Sequence, residues 1–147
     1  MKVLFLSQIV PYPPHGGVLQ RGYNILRELG RHHEVHVVAY VHRDILPSPS
    51  AIEQSRAALS AFCATVTYVD VWPKRSNLHK VLAIAGNLLL REPFSVTAHR
   101  SRKVARLMRQ LAARYSIEVV HYDTIGLARC AEGLRERAGV LTHHNIE

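Results

Sequence analysis

The sequence predicts an α/β fold, a mostly parallel sheet flanked by helices. Two observations carry this. Short β-branched and aliphatic runs alternate with stretches of helical period along the chain. The first run, residues 3–9, is also almost continuously apolar, as suits a central parallel strand covered on both faces. A strictly alternating pattern would instead have suggested a sheet with one wet face.

The elements follow in order. After the strand at 3–9 comes Pro11-Tyr12-Pro13-Pro14-His15-Gly16-Gly17, a stiff loop ending in two glycines. A helix over 18–31 places Leu19, Tyr23, Leu26 and Leu29 on one side. Gly30 and Arg31 sit where that helix is expected to end. Residues 33–41 read as strand two. Ser50 is a candidate N-cap with Glu53 three residues on, so a second helix is expected from 51 to about 62. Strand three covers 65–71, followed by a loop at 72–76 and an apolar helix over 78–90. The clearest amphipathic helix spans 95–115. Its stripe is Val104, Leu107, Met108, Leu111, Ala112 and Tyr115, and its basic residues lie mostly outside the stripe. Strand four is 117–122, a short helix covers 125–137, and strand five is 139–143.

At 147 residues the chain suits one domain with a proper core. Apolar residues make up 48% and charged residues 20%, a globular composition. The net charge of +8 favours acidic partners: phosphorylated ligands, anionic membrane or nucleic acid. Aromatics are not interleaved with the basic residues, which disfavours single-stranded nucleic acid. Cys63 and Cys130 are far apart and form no C-x-x-C pair, arguing against a disulfide framework and a zinc site. No secretory signal and no apolar run of membrane-spanning length is visible, so a cytoplasmic protein is expected.

Functional residues in such sheets collect at the carboxyl ends of strands. Three stretches fall there: 11–17, 121–124 and 143–147. The first is neither a dinucleotide fingerprint nor a P-loop, since G-x-G-x-x-G and G-x-x-x-x-G-K are both absent. Gly16 and Gly17 before a helix can let an anion approach the backbone, and are equally a turn that needs positive φ. His121 and Asp123 are two apart in an extended segment and point the same way. They suit a ligand hydroxyl or a shared proton, although such a pair is more often a structural hydrogen bond. His143 and His144 point oppositely in a strand, so no metal site is expected from them.

These stretches together resemble the opening domain of a family-four glycosyltransferase of the GT-B fold. The resemblance rests on Lys2-Val3-Leu4-Phe5-Leu6-Ser7, the loop through Gly16-Gly17, Arg21-Gly22-Tyr23-Asn24-Ile25-Leu26-Arg27-Glu28-Leu29 and His33-Glu34-Val35-His36-Val37-Val38. It continues at Val119-Val120-His121-Tyr122-Asp123 and Leu141-Thr142-His143-His144-Asn145-Ile146-Glu147. The middle of the chain, 44–116, matches only in the order of its elements.

The resemblance implies a Rossmann-like domain forming the acceptor side of a retaining transferase. Its substrates would be a nucleotide-sugar donor and a glycan or lipid-linked acceptor, as in polysaccharide biosynthesis, with no metal or other cofactor. Gly16 and Gly17 would lie over the donor phosphate and sugar, and Asp123 and His121 at the reaction centre. Arg21, His144, Asn145 and Glu147 would contact acceptor or sugar. Where the family carries a second histidine near the reacting carbon, this chain has Asp123. The resemblance also implies a peripheral position on the inner, anionic membrane face, through basic helices.

A separate C-terminal donor domain would carry two glutamates eight positions apart, a spacing that occurs nowhere here. Residues 1–147 are therefore expected to be an N-terminal domain incomplete at its C-terminus and inactive alone. The alternative is a stand-alone nucleotide- or phosphate-binding Rossmann-like module. A response receiver is disfavoured, because Ser7-Gln8-Ile9-Val10 supplies no acidic cluster after strand one.

Overall fold

A computed structural model describes residues 1–70, 102–127, 134 and 136–142. It contains a five-stranded, all-parallel sheet flanked by helices, an α/β Rossmann-like fold. The strands are β1 (Lys2–Ser7), β2 (Glu34–Val41), β3 (Thr65–Asp70), β4 (Val119–Tyr122) and β5 (Ala138–Leu141). The described helices are α1 (Gly17–His32), α2 (Pro49–Ser60) and α3 (Arg102–Arg114). The strand order is β3-β2-β1-β4-β5. The chain thus builds outward from β1 on one side and returns to build on the other.

Each sheet face is sealed by its own helices. Phe5, Val35, Val37, Ala39 and Val41 face α1 and α2, and are covered by Leu26, Leu59, Tyr23 and Leu29. Leu4, Leu6, Val38, Tyr40, Val120 and Tyr122 face α3, and are covered by Val104, Met108 and Ala112. Alternate residues of β1 therefore belong to different cores, which is why its sequence is apolar without interruption. The α3 stripe is as expected, with Leu107, Leu111 and Tyr115 packed at its margins. Lys103, Arg106, Arg109 and Arg114 are exposed.

At the amino end of the sheet, buried His36 ties three elements together. Its ring stacks on Tyr115 with centroids 4.1 Å apart. Nδ1 is hydrogen-bonded to Thr65 Oγ1 at 2.9 Å and Nε2 to Glu34 Oε1 at 3.1 Å. The sheet edges differ. On β3, Arg56 of α2 donates to the Val66 carbonyl at 2.7 Å and lies over the Tyr68 ring. The β5 edge leaves Val140 and Leu141 about half exposed, at 46% and 47%.

Several local expectations are corrected. The α2 cap is Ser48, not Ser50: Ser48 Oγ accepts from the Ala51 amide at 3.1 Å. Pro49 then occupies the first helical position, where its fixed φ suits helix entry and no N–H is needed. Gly30 does not end α1, which runs on to His32 with His33 as C-cap. Glycine stands at 30 because a Cβ there would collide with the Phe62 main-chain oxygen. β1 ends at Ser7, two residues early, because Ser7 Oγ turns back to the Ile9 carbonyl at 2.7 Å. Residues 125–127 form a 3-10 turn, whose Leu127 amide donates to the Thr124 carbonyl, and most of the rest of the helix expected there, 128–133 and 135, lies outside the described residues. The expected loop at 72–76, the helix at 78–90 and the first part of the helix from 95 lie outside the described residues. No helix among the described residues is long and apolar enough to cross a membrane.

Gly30→Ala separates helix propensity from packing. Propensity alone would stabilise α1 by about 1 kcal/mol. The approach of Phe62 O makes the net effect a loss of about 1–3 kcal/mol. Urea unfolding measures it; an unchanged or raised midpoint would contradict this packing.

Candidate functional site

The direction of chain growth reverses at β1, between β2 and β4. In open parallel sheets the carboxyl ends of two such strands are where ligands seat, because the connecting loops part there. Hydrogen bonds continuing past the strand ends gather that edge. The Val10 amide donates to Tyr40 O at 3.1 Å, Asp123 N to Leu6 O at 3.0 Å, and Thr142 N to Tyr122 O at 2.9 Å.

The loop after β1 is held along its length. The Tyr12 amide donates to Val10 O and the His15 amide to Pro13 O, each at 2.8 Å. The Tyr12–Pro13 peptide is cis. Pro11 packs against Gly22 of α1, and Tyr12 sits beside Tyr23 with ring centroids 6.4 Å apart. The loop delivers Gly16 as the N-cap of α1.

The two glycines then differ. Gly16 has φ 81° and ψ 161°, a conformation essentially reserved for glycine. Its identity follows from the turn. Gly17 lies in the helix with no positive φ, and a Cβ there would meet nothing within 4 Å. Neither backbone shape nor packing requires glycine at 17. The α1 terminus has no side-chain cap among the described residues, since its N-cap is Gly16, and its first turn holds no acidic residue. The amides of a first helical turn then point outward with the positive end of the helix dipole. By contrast, α2 is sealed by Ser48.

The structure brings His121 and Asp123 to this edge on the face of Phe5 and Ser7, as the two-residue spacing predicts. Both are inward. His121 is 8% exposed; its ring stacks on Phe5 at 4.5 Å, and Nε2 is hydrogen-bonded to Thr142 Oγ1 at 2.8 Å. Asp123 is 1% exposed, and Oδ2 lies 3.1 Å from Ser7 Oγ, whose one O–H is shared between this oxygen and the Ile9 carbonyl. Burial holds the His121 imidazole below its ordinary value, while the Asp123 carboxylate pulls the other way. Arg21 is exposed on α1. His144, Asn145 and Glu147 lie outside the described residues, as does Cys130. Cys63 is buried, and its thiol is pushed up to about 12 by desolvation, so it is an unreactive thiol. Among the described residues no group of three His, Cys, Asp or Glu side chains could hold a metal ion.

Five polar residues at this edge were not singled out by sequence reasoning. Ser7 and Thr142 hold Asp123 and His121. Thr124 donates from Oγ1 to Gln8 Oε1 at 3.0 Å, and His42 Nε2 donates to the Gln8 carbonyl at 3.0 Å. Thr124 lies in a stretch that position at a strand end already marks. Ser7 and Gln8 carry a weaker signal: they are the first polar residues after the apolar run of β1.

Two measurements follow. The folded state disfavours protonated His121, so this group's contribution to stability is fully present above the unfolded value of 6.5 and is lost as pH falls below it. His121→Gln removes that component, so its stability declines less steeply on acidification than the parent's. Equal slopes in urea titrations on both sides of the window would contradict it. Ser7→Ala takes a donor from a buried carboxylate and costs about 1–3 kcal/mol in the same assay; no loss would contradict the pairing.

Comparison with known proteins returns no identification: no protein-family model matches the chain, and no curated protein does.

Proposed function

We propose that this chain is the N-terminal, acceptor-side domain of a retaining glycosyltransferase. On this reading a sugar passes from a nucleotide-sugar donor to a glycan or lipid-linked acceptor, and a second domain supplies most of the donor site. The observation that carries the reading is Gly17. It is a glycine that the fold does not require, at an uncapped helix N-terminus beside the reversal of the sheet. A missing Cβ and outward amides suit a phosphoryl group brought against the helix. The sequence stretches that resemble family four supply the sugar-transfer part of the reading.

In this account Gly16 shapes the turn and Gly17 admits the donor phosphate. The neighbouring amides stabilise the charge that gathers on the diphosphate as its bond to the sugar breaks. His121 and Asp123 form the floor of the acceptor side, held by Thr142 and Ser7. Arg21, His144, Asn145 and Glu147 remain assigned to acceptor or sugar contacts. The exposed Lys103, Arg106, Arg109 and Arg114 of α3 support a second element of the reading, a resting position on an anionic membrane at the cytoplasmic face.

The reading frame beyond Glu147 tests this first. It should encode a second Rossmann-like domain with two glutamates eight positions apart, and their absence would remove the sugar-transfer reading. With that domain joined, transfer from a panel of nucleotide sugars is followed by mass spectrometry. Gly16→Val combined with Gly17→Val should lower the rate by about 10²-fold or more, and an undiminished rate would overturn the loop assignment. Vesicle co-sedimentation tests the membrane element: binding to anionic vesicles should fall as salt rises, and binding independent of salt and lipid charge would contradict it.

A further inference from the structure

The side chains expected to touch the reacting sugar, His121 and Asp123, face inward and are held by protein partners. The residues next after Ser7 and Asp123 form a polar pair, Gln8 with Thr124, and both are partly exposed. Gln8 is fixed from two sides. Its main-chain carbonyl is tied to His42 beyond β2, and its Oε1 to Thr124 beyond β4. It therefore stands astride the reversal, linked to both strands that flank β1.

Those bonds leave something over. A carboxamide carries two N–H donors besides its acceptor oxygen. Among the described residues no partner takes the Nε2 group of Gln8. Donors whose orientation is already fixed lose little freedom on meeting a ligand, and they discriminate against a ligand that lacks an oxygen there. We propose that Gln8 is the ligand-contacting group of this edge, donating from Nε2 to a hydroxyl oxygen of a sugar. Thr124 and His42 orient it. Asp123, through Ser7, is a positioning residue that braces the end of β1 on which Gln8 stands. The assignment rests on the proposed function for where the sugar lies, and no covalent step is involved.

Calorimetry of the full 147-residue chain with two probes tests it: inorganic phosphate, and glucose 1-phosphate, which adds a sugar to the same anion. Gln8→Leu should weaken glucose 1-phosphate about tenfold, the value of one well-placed hydrogen bond, and leave inorganic phosphate unchanged. Unchanged affinity for both probes, or equal loss for both, would overturn the role of Gln8 while leaving the anion site standing. If the parent chain binds neither probe, the proposed site itself fails, and the assignment with it. Thr124→Val keeps the carboxamide but frees its orientation. It should weaken glucose 1-phosphate several-fold, so it decides the matter if Gln8→Leu melts early by circular dichroism; no change in Thr124→Val would then overturn the proposal.

Discussion

The structure depends on β1 being paired along both edges. Phe5 stands in register with Val37 on one side and His121 on the other. A strand with parallel neighbours on both sides has its side chains buried above and below, so a polar residue within it needs a partner, as His36 and His121 have, and between Val3 and Leu6 β1 carries no polar residue. The first that appear, Ser7 and Gln8, do so where the ladders run out. The same double pairing brings the ends of β2 and β4 to the end of β1. The residues that follow these strands are therefore forced together, although they are far apart in sequence. The site is a consequence of strand order before it is a matter of residue type.

Two kinds of order meet at that edge. Below it, His121 on Phe5 and Asp123 with Ser7 are buried polar groups with partners, which fixes geometry at little net gain in stability. Above it lie groups with capacity left over: the amides opening α1 and the carboxamide of Gln8. A floor of buried polar side chains held by neighbours, under a rim of unspent donors, is the arrangement expected where a polar ligand is bound without disturbing the fold. On the proposed reading the anion meets the helix and the sugar meets the rim.

Much of the fold was legible in the sequence, because hydrophobic period reports burial directly. The five strands and the α3 stripe needed no tertiary information. What misled was local. Gly30 looked like a helix end, yet its reason is the carbonyl of Phe62, distant in sequence. Ser50 with Glu53 made a plausible capping box, but Pro49 set the helix start and gave the cap to Ser48. At the site, position marked His121 and Asp123 and the loop glycines. It could not show that the first two turn inward, or that Gly16 and Gly17 serve different ends, because both depend on backbone angles and on neighbours contributed by other strands. Gln8 was hidden for the same reason: its partners are His42 and Thr124, each on a different strand connection.

The central claim is that the reversal at β1 is a ligand site, with the phosphate on α1 and the sugar over β4. A crystal structure of the chain with a bound sugar 1-phosphate tests it most directly. The account predicts the phosphate within hydrogen-bonding distance of the Gly17 and Val18 amides and the sugar beside Gln8, with His121 and Asp123 still beneath. A sugar phosphate seated at the amino end of the sheet near His36, or on the basic face of α3, would contradict it.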